Sequence, residues 1–213
     1  MHEIKHIFRV NREPFFPLGG QVHNSSGYNL TELEAAFKAL ELMDANTVEI
    51  PVYWYQVEPE EGRFDFSVLD DLLAGCRAHG LKLMLLWFGT WKNGQMEYTP
   101  NWVKSDQERF RRVVTPAGYT IPVLSSQCEE NRLADERAFT ALMRAVREKD
   151  AEEKTIIAVQ VENEPDILGC DRDYGEDSTA AFHSAVPTEL VEQVAGHPGT
   201  PIHVAWHGAG ARR

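Results

Sequence analysis

Glu162, Asn163 and Glu164 close an apolar stretch at residues 155–161 and lie directly before Pro165. Two carboxyl groups this close can raise one another's pKa, as a general acid at neutral pH requires. In a continuing strand both glutamates would point to the same side, so the spacing alone does not choose between them. The other interpretation of Glu164 is structural, as the partner of an arginine or the cap of a helix.

Polar and aromatic residues also follow the earlier predicted strands: Gln21, His23, Tyr53, Trp54, Trp87 and Trp91. In a β/α barrel the carboxyl ends of the strands share one face, so these side chains are expected to meet Glu164 there. Indole and phenol rings suit the C–H faces of sugars. Each also has a structural interpretation: the tryptophans, Trp102 included, as core aromatics, and His23 as a hydrogen-bonded structural histidine.

The elements that must position these residues alternate between short apolar runs and amphipathic stretches, which is typical of repeated β-α units. The predicted strands follow an opening hairpin (residues 4–10 and 14–18), a strand end at 19–23, and runs at 46–54, 81–88 and 155–161. The predicted helices are at 31–44 with a Thr31–Glu34 capping box, at 67–80 with Ser67 as cap, at 131–148 and at 188–195. A long loop is expected at 89–127, and a loosely ordered tail at 196–213.

Composition excludes several classes of function. The 213 residues suit a single domain, and a net charge of -12, from 33 acidic and 21 basic residues, argues against a nucleic-acid partner. The cysteines, Cys76, Cys128 and Cys170, form neither a disulfide framework nor a zinc pattern. No apolar run approaches the roughly 18 residues of a membrane span, and no secretory leader is recognisable, so a cytoplasmic location without membrane contact is expected.

No cofactor or metal is predicted. The sequence has no P-loop, no G-x-G-x-x-G, no G-x-S-x-G elbow and no H-E-x-x-H, and His203 and His207 lack a nearby glutamate. The chemistry must therefore come from carboxyl groups and their polar neighbours.

The segment Gln160-Val161-Glu162-Asn163-Glu164 resembles the acid/base segment of family 35 β-galactosidases, in the clan of retaining (β/α)8 glycoside hydrolases. Residues 46–54 and 58–66 resemble the second-strand motif of families 35 and 42, and residues 19–23 the first-strand end of family 35. Residues 20–26 and 86–94 are similar to a bacterial β-galactosidase-like branch related to both. Family 35 more often has Tyr-Gly where this chain has Pro165.

This resemblance implies an α/β fold: a partial (β/α)8 TIM-type barrel of roughly the first four β-α units, forming one incomplete catalytic domain over residues 1–213. It implies a β-galactosidase-type hydrolase of carbohydrate metabolism acting on a β-galactoside or related oligosaccharide. Glu164 would be the acid/base and Asn163 would bind the sugar 2-hydroxyl. Gln21, His23, Tyr53, Trp54, Trp87, Trp91 and Glu162 complete the expected sugar-binding set.

The second carboxylate of a retaining site is not apparent. It should lie about 5–5.5 Å from the acid/base, and in the clan it ends the seventh strand, whereas only 49 residues follow Glu164. Glu176 is expected on a loop, and Glu189 and Glu192 on a helix. We therefore expect the isolated chain to be inactive unless a complementing C-terminal half or a second copy assists it. The alternative is a non-catalytic sugar-binding or truncated remnant.

Overall fold

The computed structural model describes residues 7–185. Its strands are β1 (Arg9–Val10), β2 (Glu13–Pro14), β3 (Gly19–Gln21), β4 (Thr47–Tyr53), β5 (Lys82–Lys92), β6 (Arg112–Val114), β7 (Thr120–Leu124) and β8 (Ile156–Asn163). Its helices are α1 (Leu30–Leu42), α2 (Trp54–Val57), α3 (Ser67–Ala78), α4 (Asn101–Ser105), α5 (Glu129–Asp150) and α6 (Glu176–His183).

The central feature is a parallel four-stranded sheet in the order β3-β4-β5-β8. Neighbours in the sheet follow one another along the chain and are joined through helices, which is the arrangement of consecutive β-α units. The predicted α/β class and partial barrel are therefore confirmed. The carboxyl ends of the four strands lie at one edge of the sheet, where active sites of this fold class form.

Both faces of the two central strands, β4 and β5, are largely buried, as expected for a parallel sheet covered by helices, whereas β3 and β8 at its edges are more exposed. Along β4, alternate side chains Val48, Ile50 and Val52 belong to the main core, which also contains Phe37 of α1 and Leu69 of α3. A second, aromatic cluster lies on the other face of the sheet and is formed by Tyr53, Leu86, Phe88 and Tyr98.

The predicted N-terminal hairpin is confirmed over its described part. Arg9 pairs with Pro14 across a two-residue turn, in which Asn11 (φ 52°) and Arg12 (φ 72°) are both left-handed. Two left-handed residues are what a type I′ hairpin turn requires. The predicted helix at 188–195 and the tail at 196–213 lie outside the described residues. Over residues 7–185, no helix has the length and apolar character needed to cross a bilayer.

The predicted helix caps are wrong. Helix α1 begins after Asn29, whose side chain accepts a hydrogen bond from the Glu32 N–H, so the Thr31–Glu34 capping box does not form. Ser67 is the first residue of α3 rather than its cap. The Ser67 N–H instead donates to the Asp65 carboxylate at 2.9 Å. In each case an Asn or Asp two or three residues earlier provides the acceptor.

The region predicted as one long loop contains α4 and an antiparallel pair, β6 with β7. The strand before it is longer than predicted, because β5 continues to Lys92. The short helix α2 directly after β4 was not predicted, and Glu176 begins α6 instead of lying on a loop. These elements are short, and their sequences show too few turns for a period to be recognised.

The acidic turn after α2 is held by the fully buried carboxylate of Glu58. It accepts hydrogen bonds from Trp54 Nε1 (3.0 Å), the Gly62 N–H (2.7 Å) and Arg137 Nη2 (2.9 Å). Trp102 Nε1 donates to the backbone carbonyl of the same glutamate at 3.0 Å. Glu58 thereby connects α2, the following turn and α5 through its carboxylate, and α4 through its backbone carbonyl.

Candidate active site

The end of β8 departs from regular strand geometry at both glutamates. Glu162 has φ 63° and Glu164 has φ 51°. The left-handed region costs roughly 1–2 kcal/mol for a residue with a side chain. It also breaks the alternation of side chains, so the two carboxyl groups need not point the same way. Strained residues of this kind cluster at functional sites when the surrounding contacts hold them in place.

The carboxyl group of Glu162 is held by the protein itself. It accepts hydrogen bonds from the backbone N–H groups of Thr90 (3.0 Å) and Trp91 (2.7 Å). Burial strongly raises the pKa of Glu162, and hydrogen bonding to Asp135 and its charge raise it further, against the lowering effect of the two N–H groups. Glu162 is only partly buried and also lines a cavity, so its contact with sugar stays a prediction, with Thr90 and Trp91 already bonded to its two oxygens.

Asn163 contacts a buried lysine. The Lys92 side chain, only 5% exposed, donates from Nζ to Asn163 Oδ1 at 2.5 Å and also to Asn93 Oδ1. An ammonium group only donates hydrogen bonds, so this contact fixes the orientation of the amide and leaves its NH₂ group as a donor. Burial lowers the pKa of Lys92, while the negative charges of Glu164 and Glu97 oppose this effect.

Glu164 has an exposed side chain at the carboxyl end of the sheet. Its backbone carbonyl accepts hydrogen bonds from Gly94 (3.1 Å) and Asp166 (2.7 Å). Within residues 7–185, neither an arginine nor a helix N-terminus engages its carboxyl group, so the structural interpretation of this residue is not seen in that range. The carboxyl group lies close enough to Lys92 to act on its charge. It is thus accessible and next to a cation, as proton transfer to a bound molecule requires.

Tyr53 lies at the predicted strand end but is fully buried. Its hydroxyl donates to the Asn24 carbonyl at 2.6 Å and accepts from the Gly27 N–H at 3.2 Å. Tyr28 and Tyr98 pack on its ring, with centroids 4.8 and 4.6 Å away. The prediction that Tyr53 contacts sugar is corrected, because its hydroxyl and ring support the loop after β3.

Trp54 and Trp87 are also fully buried, and their predicted roles in sugar binding are corrected. Trp54 begins α2, which turns its ring into the core, where it donates to Glu58. Trp87 lies within β5 rather than at its end and donates from Nε1 to Asp135 Oδ1 at 2.8 Å. Both are core aromatics, the alternative that the sequence left open.

The remaining predicted residues lie at two separate depressions. Trp91 is partly exposed and lines a cavity of about 280 Å³ together with Phe139 and Glu162. Gln21 and His23 are exposed and line a different groove, between β3 and α1. His23 Nδ1 accepts a hydrogen bond from the Ser25 N–H at 3.3 Å. The structure therefore does not bring Gln21 and His23 to the cavity of Trp91.

Sequence reasoning missed two residues of this region, Lys92 and Asp135. Lys92 follows Trp91 in a segment that the family resemblance already singled out, and this was the available signal. Asp135 lies beside the buried stripe of α5, next to buried Ala134, and a carboxylate at such a position needs a partner. Among residues 7–185, no group of three or more His, Cys, Asp or Glu side chains is arranged to hold a metal ion.

Solved β-galactosidases share this fold. The enzyme from the psychrophilic Marinomonas ef1 is 17% identical with a TM-score of 0.57, over 83% of this chain and 26% of that one. The E323A catalytic mutant of Gan42B, a GH42 β-galactosidase from G. stearothermophilus, is 20% identical with a TM-score of 0.56, over 84% of this chain and 24% of that one. The β-galactosidase of the Antarctic haloarchaeon Halorubrum lacusprofundi is 22% identical with a TM-score of 0.58, over 84% of this chain and 25% of that one.

The chain therefore spans about a quarter of the length of each of these proteins. No curated protein matches it significantly. The sequence model of the family Glyco_hydro_42, described as beta-galactosidase, matches residues 28–192, well over half of the chain. This agrees with the sequence motifs shared with families 35 and 42. The chain belongs to the Glyco_hydro_42 family of β-galactosidases.

Proposed function

We propose that the chain carries the acid/base half of a retaining β-galactosidase site, with Glu164 as the acid/base. The observation that supports this most is the contrast between the two glutamates at the end of β8. Glu162 is engaged by two backbone N–H groups, whereas Glu164 is exposed beside Lys92 and Asn163. Glu162 is thus held in place by the protein, and Glu164 is the more accessible of the two carboxyl groups.

In a retaining mechanism, Glu164 in its acid form gives its proton to the glycosidic oxygen as the bond to the anomeric carbon breaks, while a second carboxylate attacks that carbon. The resulting Glu164 carboxylate then takes a proton from water, which hydrolyses the glycosyl-enzyme and restores the acid. We assign no nucleophile among residues 7–185. The complete reaction needs a second carboxylate from outside that range.

Asn163 is proposed to bind the sugar 2-hydroxyl. Its oxygen is held by the Lys92 ammonium group, so its NH₂ group donates to a hydroxyl oxygen. Replacing Lys92 with methionine should therefore weaken sugar binding without removing any direct sugar contact, because the amide is then free to turn. The substrate class, a β-galactoside or related oligosaccharide, rests on the family. The cytoplasmic location stays a prediction.

Binding of 1-deoxygalactonojirimycin, a galactose-shaped cation, tests the site. Ligand-observed NMR on the purified chain should show saturable binding. Glu164→Gln should weaken that binding by about tenfold or more, since it removes a charge-assisted hydrogen bond worth roughly 1.5–3 kcal/mol. Glu152→Gln, an exposed carboxylate in the turn before β8, is the matched control and should bind normally. A folded chain that does not bind, or that binds equally in both variants, refutes the proposal.

Turnover is tested with the chain alone and mixed with the C-terminal barrel half of a family 42 β-galactosidase. The mixture should hydrolyse 4-nitrophenyl β-galactoside with retention of anomeric configuration. Glu164→Gln should lose far more activity on this substrate than on the 2,4-dinitrophenyl analogue, whose departure needs little acid assistance. Sugar binding that never leads to turnover in any mixture would assign the chain to the sugar-binding alternative instead.

A further inference from the structure

Asp135 of α5 and Glu162 at the end of β8 form a close pair of carboxyl groups. The backbone N–H of Thr90 lies 3.0 Å from Glu162 Oε1 and 3.3 Å from Asp135 Oδ2. The Thr90 hydroxyl adds a 2.6 Å bond to Asp135 Oδ2, and Trp87 Nε1 adds one of 2.8 Å to Asp135 Oδ1. The two acids thus share donors from one short segment of β5.

Gly89 makes this arrangement possible. A Cβ atom there would lie 2.3 Å from Trp87 Nε1, 2.5 Å from Glu162 Oε1 and 2.8 Å from Asp135 Oδ1. These distances are below van der Waals contact, so any other residue would displace the cluster. The side chains of Trp87, Asp135 and Glu162 therefore occupy the space that a side chain at position 89 would fill.

No cation neutralises the two acids within residues 7–185. Arg132 and Glu136 of α5 line the same cavity, but Arg132 is paired with Glu129 and Glu136. Lys92, the nearest lysine along β5, donates to Asn163 instead. Both carboxyl groups accept from the same Thr90 N–H, so two negative charges would lie close together in a largely buried place. Such an arrangement is strongly unfavourable, so one of the acids keeps its proton.

We propose that Asp135 and Glu162 hold one proton between them and act as a positioning pair that fixes Glu164. The pair joins the Thr90–Trp91 backbone to the end of β8. Two further contacts join the segment after Trp91 to the residues after Glu162. Lys92 donates to the Asn163 side chain, and the Gly94 N–H donates to the Glu164 carbonyl. Together these bonds hold Glu162 and Glu164 in their left-handed conformations. Only the consequence for catalysis rests on the proposed function of Glu164.

Carboxyl-detected NMR of the chain labelled with ¹³C-Asp and ¹³C-Glu tests the shared proton. One carboxyl group of the pair should stay protonated at pH 8, consistent with the raised pKa of Glu162. In Asp135→Asn, the Glu162 resonance should titrate at a lower pH than in the wild-type chain, because the neighbouring charge is gone while the effect of burial remains. If both carboxyl groups ionise below about pH 5 in the wild-type chain, the ordinary range for these acids, the proposal is wrong.

Hydrogen exchange of the Gly94 amide tests the positioning. Glu162→Ala should accelerate this exchange about tenfold or more, since losing the bonds to Thr90 and Trp91 frees the segment. Glu162→Gln, which can still donate to Asp135 and accept from one N–H group, should restore most of the protection. The Leu85 amide within β5 should not change in either variant, which separates local release from unfolding.

Glu162→Ala, combined with the binding test, separates this inference from the proposed function. If Glu162→Ala accelerates Gly94 exchange but the chain does not bind the iminosugar, the pair positions residue 164 and the glycosidase assignment fails. If the chain binds the sugar and neither exchange nor binding responds to Glu162→Ala, the positioning role is refuted and the glycosidase assignment stands.

Discussion

Arg137→Ala should destabilise the fold far more than an arginine of similar exposure elsewhere. Arg137 is the only cation paired with the buried Glu58 carboxylate within residues 7–185, at 2.9 Å. Removing one partner of a buried ion pair costs about 3–5 kcal/mol, because the charge left behind is neither paired nor hydrated. Glu58 keeps its bonds from Trp54 and Gly62, so we expect the lower end, about 3 kcal/mol.

Arg109→Ala is the matched control. Arg109 has 37% of its side chain exposed, against 39% for Arg137, but its partners Glu61 and Glu130 are themselves 41% and 48% exposed. Water replaces such pairs at little cost, so the control should lose about 1 kcal/mol or less. The similar arginine exposure leaves burial of the carboxylate as the main difference between the two variants.

Urea unfolding followed by tryptophan fluorescence measures both variants. With a slope of about 2–3 kcal/mol per molar urea, the midpoint should fall by about 1 M for Arg137→Ala and by a few tenths for Arg109→Ala. Adding Glu58→Gln to Arg137→Ala should recover part of the loss, since a neutral amide tolerates burial better than an unpaired carboxylate. Equal losses in the two arginine variants would show that the buried pair is not the reason.

Three further predictions concern other parts of the fold. Asn29→Ala should cost about 1 kcal/mol in urea unfolding by removing the cap of α1. Burial opposes the ionisation of Asp150, but the backbone N–H groups of Ile156 and Thr155 and the side chain of Arg77 lower its pKa overall. The Asp150 carboxylate therefore stabilises the fold fully above its unfolded pKa of about 3.9, and this stabilisation is lost as pH falls through its folded pKa. Asp150→Asn should accordingly approach wild-type stability in urea unfolding only at acid pH. In thiol labelling, partly exposed Cys170 should react first, whereas Cys128 and Cys76, both buried, should react only on unfolding, and burial also raises the pKa of Cys76 to about 12.

The longest elements were predictable from the sequence, since each has a strong pattern of its own. The apolar runs of β4, β5 and β8 and the striped helices α1, α3 and α5 appear within a few residues of the predicted bounds. The carboxyl end of β5 was not predictable, because Gly89, Thr90 and Trp91 have the composition of a loop. The backbone N–H groups of Thr90 and Trp91 are instead held in this extended segment by the carboxylates of Glu162 and Asp135. That pairing depends on residues 45–72 positions away.

The same tertiary contacts explain why the aromatic residues were assigned to the wrong place. Trp54 and Trp87 follow apolar runs in sequence, as sugar-binding residues at a barrel rim would. Their ring N–H groups, however, bind two carboxylates that are four and 48 positions away. A buried indole needs an acceptor, and these carboxylates provide it inside the core. Composition at a strand end therefore could not distinguish a rim aromatic from a core aromatic that is bonded to an acid.

The separation of Glu162 and Glu164 is the clearest case in which backbone conformation decides chemistry. Two identical side chains, two positions apart in the chain, have different environments because both residues adopt left-handed φ and interrupt the strand. One carboxyl group is buried against Thr90, Trp91 and a second acid, and the other is exposed beside a lysine. Acid/base roles in enzymes follow from such differences in environment rather than from residue type. A variant that straightens this turn should therefore place both carboxyl groups on the same side of the strand and remove the difference in environment that favours Glu164.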